Sequence, residues 1–250
     1  MDQRFLLALF LLLFTPTSSL FAQVGDHRND FSIGVNGGYT MTRIGFTPKV
    51  EQQMLSTPSF GMSFRYVCEK YFSTICSVYG EVNYVSLGWQ QDIKDVRDMP
   101  VINVATGFAE EYKRTMNYIQ VPIFAHLGWG RESKGMQFFF QAGPQFGFFL
   151  NEKTTTNYDA ASRNMTDRAS AVVEQESLTV DNKFDYGIAV GAGLEYSIPR
   201  LGHFLLEGRY YYGLGNTFGN SKRDYFGRSN HNTISVKLSY LFDITLTKNN

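Results

Sequence analysis

The stretch FDYGIAVGAGLEY, Phe184–Tyr196, decides the fold of this chain. Apolar residues occupy every second position, and the positions between them carry mostly glycine or acidic residues. A period of two is the signature of a β-strand that has one apolar and one polar face. The stretch also exceeds the roughly nine to eleven residues that a tilted strand needs to cross the hydrocarbon layer of a membrane. We therefore interpret it as a membrane-spanning strand.

Further stretches of the chain repeat this alternation and bring the number of predicted strands to eight. They lie at Phe31–Tyr39, Phe60–Tyr66, Val78–Tyr84, Tyr118–Trp129, Met136–Gln145, Phe204–Tyr212 and Ile234–Asp243. The connectors between strands alternate in length, with long ones near residues 40–58, 88–112, 150–183 and 214–231 and short ones near 67–76, 128–135 and 197–202. Long extracellular loops and short periplasmic turns alternate in this way in outer-membrane barrels, whose two termini then lie on the periplasmic side.

A soluble sandwich or lipocalin is the alternative all-β fold, because its strands alternate in the same way around an apolar core. Aromatic residues at the predicted strand ends favour the membrane, where such rings prefer the interface with water. They are Trp89, Tyr112, Trp129, Phe148, Phe149, Tyr196, Tyr212 and Tyr240. A closed ring also removes the sheet edges that lipid could not satisfy. We predict an all-β fold, a closed antiparallel up-and-down transmembrane β-barrel of eight strands.

The N-terminus has the composition of a secretory signal peptide. Arg4 precedes the apolar run Phe5–Phe14, and small residues lead to a cleavage point after Ala22. The run is shorter than the about 20 residues of a transmembrane helix, although an N-terminal anchor is the alternative. We predict a signal peptide over residues 1–22 and a barrel domain over residues 23–250, located in the outer membrane.

Twenty-three basic residues balance twenty-three acidic ones, so the charge gives no support for a nucleic-acid partner. No Gly-rich phosphate loop follows a strand, and the glycines of the opening stretch alternate as strand residues. The histidines, His27, His126, His203 and His231, form no converging metal set in the sequence. We expect no cofactor, metal site or catalytic residues.

The order of sequence blocks resembles the PorT-like outer-membrane barrel family of Bacteroidetes. The matching blocks are IGVNGGY (Ile33–Tyr39), GEVNYVSLGW (Gly80–Trp89), NYIQVPIFAHLGWG (Asn117–Gly130), QAGPQFGFFL (Gln141–Leu150), the opening stretch, LEGRYYYGLGN (Leu206–Asn216) and SVKLSYLF (Ser235–Phe242). The resemblance implies an eight-stranded barrel in contact with outer-membrane lipid. The founding member of the family is linked to protein secretion across that membrane, and most members have no assigned activity.

Charged residues of both signs fall on the polar faces of the predicted strands: Arg65, Glu81, Glu195, Glu207, Arg209 and Lys237. The interior of an eight-stranded barrel is just wide enough to be filled by side chains. Charges enclosed there must be paired, because an isolated buried charge costs several kcal/mol. We therefore predict a salt-bridged plug, with a narrow solute path or ligand site as the alternative.

Two cysteines, Cys68 and Cys76, flank the first short turn. Both have the parity of the outward face, and an exported compartment permits a disulfide. A disulfide across this hairpin is favoured; two unpaired thiols are the alternative. The spacing differs from that of a CxxC redox motif.

Three functions are compatible with the sequence. The first is a non-enzymatic barrel with an envelope-structural or secretion-accessory role, which contacts secretion or envelope proteins through its long outer loops. The polar loop from Asn151 to Lys183 is the best candidate for such a surface, although most loops of this kind are solvated and mobile. The second function is a small-solute channel. The third is a lipid-modifying enzyme centred on His126, which is predicted to point inward near the periplasmic end.

Overall fold

The computed structural model describes residues 25–132, 134–159, 161–219 and 225–246, so the predicted signal peptide lies outside it. The elements of the described part are β1 (Asp26–Thr47), β2 (Gln52–Gln53), β3 (Leu55–Tyr71), β4 (Thr74–Gln91), β5 (Tyr112–Gly130), β6 (Gly135–Thr156), α1 (Glu174–Ser177), β7 (Phe184–Ile198), β8 (Gly202–Gly213) and β9 (Arg228–Thr245). Among these residues no helix is long and apolar enough to cross a membrane.

Eight long strands form a closed antiparallel ring. Their order is β4, β3, β1, β9, β8, β7, β6 and β5, and β5 pairs again with β4. The two-residue strand β2 pairs only with the end of β4, where Gln52 lies opposite Gln91. The prediction of an eight-stranded up-and-down barrel is therefore confirmed, with β2 as a short addition.

The two ends of the barrel differ. Short turns at residues 72–73, 131–134 and 199–201 lie at one end, which we name the turn end, together with the start of β1 and the end of β9. Four longer connectors lie at the other end, the loop end. They are the first loop (48–54), the second (92–111), the third (described at 157–159 and 161–183) and the fourth (described at 214–219 and 225–227).

The strands extend further toward the loop end than the sequence pattern predicted. The alternation of β1 between inward and outward residues continues to Thr47, but the polarity of the two faces is exchanged. The inward residues Ile44 and Phe46 are apolar and buried, whereas the outward residue Arg43 is charged and exposed. An apolar outward face no longer marks the strand once it has left the lipid. The first connector is consequently much shorter than predicted.

The middle of the wall has an apolar exterior and a polar interior. Large exposed apolar side chains cover the outside, including Val35, Tyr39, Phe60, Val82, Phe138, Ile188, Leu206 and Leu238. Serine, threonine, asparagine, glutamine and charged residues are buried inside. Hydrocarbon contact outside and a polar lumen are the arrangement of a transmembrane barrel.

Three aromatic residues that were predicted to lie at the membrane interface lie elsewhere. Trp89 is 0 % exposed and Tyr112 is 2 % exposed, because both rings point into the barrel at the loop end. Phe149 is partly buried and packs against the same inward apolar residues, with its ring centroid 5.6 Å from that of Tyr118. That prediction is wrong for these three residues. By contrast Tyr196, at the turn end, is 50 % exposed on the outer wall.

Candidate functional site

The six predicted lumen charges all lie inside the barrel, in two groups. The group nearer the turn end joins β3 to β7 across the lumen. Arg65 Nη1 donates to both carboxylate oxygens of Glu195, at 2.7 and 2.8 Å. His203 from β8 lies against the same carboxylate, with Nδ1 2.7 Å from Glu195 Oε1, and its Nε2 lies 3.1 Å from Asp243 Oδ2 on β9. Four strands are thereby tied together at this level.

The central group is built around Glu81 on β4. Glu81 Oε2 accepts hydrogen bonds from Arg209 Nη1 and Lys237 Nζ, both at 2.7 Å. Arg209 Nε also donates to Glu207 Oε1 at 2.6 Å, and Gln141 Nε2 donates to the same oxygen at 2.7 Å. One carboxylate therefore holds two cations, and every charge in the group has a partner of opposite sign.

His126 lies between these groups as a packed residue. It is 2 % exposed and stacks on Tyr79 and Phe139, with ring centroids 5.6 and 4.7 Å apart. Its Nδ1 lies 3.0 Å from Gln141 Oε1. Among the described residues, no serine or carboxylate side chain is hydrogen-bonded to the His126 ring. The surroundings of His126 are those of a core histidine.

Little free volume remains around the central group. A cavity of about 20 Å³ lies beside Arg209, Lys237 and Tyr211, which is room for about one water molecule. A wider vestibule of about 290 Å³ opens at the turn end and is lined by Arg65 and Asp243 among others. The vestibule thus ends against the ionic side chains.

The loop end is filled by apolar side chains. We name this set the loop-end cluster; its buried members are Ile44, Phe46, Val50, Val85, Leu87, Trp89, Ile93, Val101, Tyr112, Met116, Tyr118, Tyr158, Phe218 and Phe226. Trp89 meets Phe46 edge to face at 5.3 Å, and the Arg114 guanidinium lies 5.7 Å from its ring centroid. Residues from the barrel wall and from all four loops contribute, so the loops cover the barrel at this end.

The second and third loops are joined by a buried ionic network. Arg168 Nη2 lies 2.7 Å from Glu110 Oε2, and its Nη1 lies 3.0 Å from Glu176 Oε1. The other Glu110 oxygen accepts hydrogen bonds from the Asn164 backbone N–H at 2.7 Å and from Asn103 Nδ2 at 2.9 Å. The third loop, expected to be solvated and mobile, is instead fixed to its neighbour as an ordered layer.

Protonation of Glu110 is expected to loosen this loop layer. Burial opposes ionisation of Glu110, but hydrogen bonds from Asn164, Asn103 and Arg168 outweigh it and place the pKa of Glu110 below its ordinary value. A lowered pKa in the folded state gives stability that is present above the ordinary value of about 4.3 and is lost as pH falls through the folded pKa. Hydrogen exchange of peptides from residues 157–183, corrected for intrinsic rates, should stay slow at pH 5–7 and accelerate below about pH 4.

The matched variant for this test is Glu110→Gln, which keeps the side-chain shape and removes the titration. In this variant the third loop should exchange fast at every pH from about 4 to 7. A wild-type protein whose exchange has the same pH dependence as this variant would contradict the role given to Glu110.

The two cysteines lie on β3 and β4, on either side of the turn that joins these strands, without a disulfide between them. Both are free thiols and half-buried. A β-bulge between Val67 and Glu69 places Glu69, and not Cys68, opposite Cys76. The favoured disulfide is therefore not formed in this structure, because the bulge takes Cys68 out of the pairing register.

Several polar residues that take part in these groups were not singled out from the sequence. Asp243 and His203 extend the turn-end group, and Glu110 and Arg168 hold the loops. Strand parity could have found Asp243, whereas Glu110 and Arg168 lie in loops without periodicity. Among the described residues, no three histidine, cysteine, aspartate or glutamate side chains are arranged to hold a metal ion.

A closed eight-stranded ring with an apolar exterior and a charged, filled interior defines the class of small transmembrane β-barrels of the outer membrane. The chain belongs to the family described as outer membrane protein beta-barrel domain, whose family model matches residues 21–219. The protein is accordingly an outer-membrane protein that lies in membrane lipid.

Solved structures with a similar fold include other small barrels. OprG from Pseudomonas aeruginosa is 13 % identical, with 87 % of this chain and 98 % of that chain covered and a TM-score of 0.40. The N-terminal barrel domain of OprF from Pseudomonas aeruginosa is 12 % identical, with 87 % and 99 % covered and a TM-score of 0.37. Ail of Yersinia pestis is 12 % identical, with 84 % and 98 % covered and a TM-score of 0.34. A search of curated proteins finds no matching sequence.

Proposed function

We propose that this protein is a non-enzymatic barrel with a sealed lumen that acts through its ordered loop layer, in envelope structure or as an accessory to protein secretion across the outer membrane. The observation that carries the proposal is the ionic group around Glu81, which fills the lumen at mid-height with paired charges. A filled lumen leaves the outer loops as the part of the molecule that can meet a partner.

The surface of the second loop supports a role in contact with another protein. Val96, Val104 and Phe108 are 86, 87 and 72 % exposed, although hydrogen bonds to Asp95 and Asn103 hold the turns that carry them. Several large apolar side chains exposed on one ordered loop favour an interaction surface. The resemblance of the sequence to PorT-like barrels favours secretion machinery or envelope proteins as the partner.

A small-solute channel is the alternative function, and planar-bilayer recording separates the two. The sealed barrel should give no steps of conductance above the background of the lipid. Regular conductance steps from the purified, heat-modifiable protein would replace the proposal with the channel.

The loop role is tested by complementation of a strain that lacks the gene. The wild-type gene should restore the envelope and the pattern of exported proteins, whereas the double variant Val104→Asp/Phe108→Asp should reach the membrane at normal levels without restoring them. Lys49→Ala, in the exposed first loop, is the matched control and should complement fully. A deletion with intact envelope and unchanged exported proteins would defeat the proposed role.

A further inference from the structure

The vestibule at the turn end opens toward the periplasm, because the short turns of outer-membrane barrels lie on that side. Its volume of about 290 Å³ is close to the roughly 300 Å³ at which pockets for small molecules begin. Its apolar lining comes from Val67, Ile75, Ile198, Pro199 and Leu246. The remaining lining is polar or charged, so the cavity can receive a molecule that has both an apolar and a polar part.

The Arg65 guanidinium belongs to the polar lining of the vestibule. The side chain is 6 % exposed, both of its hydrogen bonds to Glu195 come from Nη1, and its Nε has no partner among the described residues. The edge formed by Nε and Nη2 of a guanidinium is a planar fork that matches the two oxygens of a carboxylate. In Arg65 this edge is left for a second acceptor.

Two further arginines line the same cavity. Arg28, near the start of β1, forms its one ion pair within the described part of the chain with Glu132, from Nη2 to Oε2 at 3.6 Å. This separation is longer than a hydrogen bond. Arg200, in the turn after β7, is exposed and is paired with no described carboxylate. Both guanidinium groups therefore keep donors for a ligand.

The carboxylates of the lining, by contrast, already have donors. Asp243 Oδ1 accepts a hydrogen bond from Ser32 Oγ at 2.6 Å, and Glu132 Oε2 accepts one from Lys70 Nζ at 3.0 Å. Asp30 also has a partner. Unused guanidinium donors thus face a cavity whose acidic groups are occupied, and this arrangement favours an anionic ligand.

We propose that the vestibule is a periplasmic binding site for a carboxylate that carries an apolar group, as a free organic acid or the C-terminus of a polypeptide does. The carboxylate binds the open edge of Arg65, with Arg28 and Arg200 around it, and the apolar group packs on Val67 and Ile75. The site lies at the opposite end of the barrel from the second loop and requires no passage through the lumen. Its test is therefore independent of the proposed role of the loops.

The experiment uses the mature protein in phosphatidylcholine nanodiscs, in which both ends of the barrel are open to solution. The probe is N-acetyl-leucine, and its matched control is N-acetyl-leucinamide, which has a neutral amide in place of the carboxylate. Ligand-observed NMR titration should give N-acetyl-leucine a dissociation constant on the order of 0.1–1 mM. The amide should bind at least about tenfold more weakly, because it cannot form the charged fork.

Two further probes distinguish the sources of the carboxylate. 4-Methylpentanoate is a free acid with the branched end of leucine, and the acetylated peptide Gly-Gly-Leu is a polypeptide end. Tighter binding of the peptide assigns the site to a polypeptide C-terminus. Equal or tighter binding of 4-methylpentanoate assigns it to free organic acids.

The double variant Arg28→Gln/Arg200→Gln and the single variant Arg65→Lys should each weaken binding of N-acetyl-leucine by about tenfold. Lysine keeps the charge beside Glu195 but lacks the planar fork. Arg131→Gln is the control, since it removes an exposed cation at the same end that does not line the vestibule; it should bind within about twofold of the wild type. Heat-modifiable migration verifies that each variant is folded.

Equal binding of N-acetyl-leucine and its amide would overturn the site, and so would an equal loss in Arg131→Gln and the double variant. The chain continues for four residues beyond Leu246, so a variant that ends at Leu246 is titrated as well. It should bind within about twofold of the full chain. A gain of about tenfold would assign the vestibule to the chain's own tethered C-terminus and would overturn the external ligand.

Discussion

Replacement of Glu81 by glutamine is expected to lower the free energy of unfolding by about 3–5 kcal/mol. Glu81 is 1 % exposed and is the ionic partner of Lys237, which is itself 3 % exposed. Removal of one partner leaves the other charge buried and uncompensated, which costs far more than the net value of the pair. Arg209 retains Glu207, so most of the loss comes from Lys237.

Urea unfolding of the barrel from lipid vesicles, followed by tryptophan fluorescence, measures this effect. Glu51→Gln is the matched control because Glu51 pairs with Lys49 at 2.7 Å and both side chains are largely exposed. That variant should lose less than about 1 kcal/mol. The double variant Glu81→Gln/Lys237→Met should recover most of the stability, because it removes the stranded charge. A loss below about 1 kcal/mol for Glu81→Gln alone would contradict the structural role of the central group.

Period-two alternation was sufficient to predict the strands in the lipid and the face on which each charge lies. The inward position of Glu81, Glu195 and Lys237 follows from parity alone. Which charges pair with each other does not follow from parity, because Arg65 and Glu195 meet across the lumen from opposite walls of the ring. Which inward side chains lie at the same height depends on the stagger of all eight strands and on side-chain rotamers, and neither is encoded in a local pattern.

Beyond the lipid the same rule misleads. Outward residues are apolar and inward residues are polar only where the outside of the wall faces hydrocarbon. Where water surrounds the barrel, the inward residues are apolar and the outward residues are polar. In this region the inward residues Ile44, Phe46 and Trp89 are apolar. Trp89 was predicted to lie at the membrane interface because the rule for the lipid region was applied beyond it. The contact between Glu110 and Arg168 joins two loops without any periodicity, so the sequence carried no signal for it.

Trp89→Ala is expected to destabilise the loop-end cluster by about 3–5 kcal/mol and to release the loops while the lumen stays closed. Its ring centroid lies 5.3 Å from that of Phe46, 5.7 Å from that of Phe218 and 6.0 Å from that of Tyr112. These neighbours come from the end of β1, the fourth loop and the start of β5. Loss of the ring leaves a cavity at the centre of the cluster, and it also removes the cation–π contact with Arg114.

Limited proteolysis of whole cells measures the release of the loops, and bilayer recording measures the state of the lumen. Trp89→Ala should be cleaved in the second and fourth loops faster than the wild type, and it should remain non-conducting because the Glu81 group lies below the cluster and is untouched. Trp129→Ala is the matched control: it removes the same volume from β5 at the turn end, where Trp129 Nε1 donates to Thr74 at 2.8 Å. The loops of this control should resist protease as in the wild type. Conductance in Trp89→Ala would mean that the loop-end cluster, and not the paired charges, is what closes the barrel.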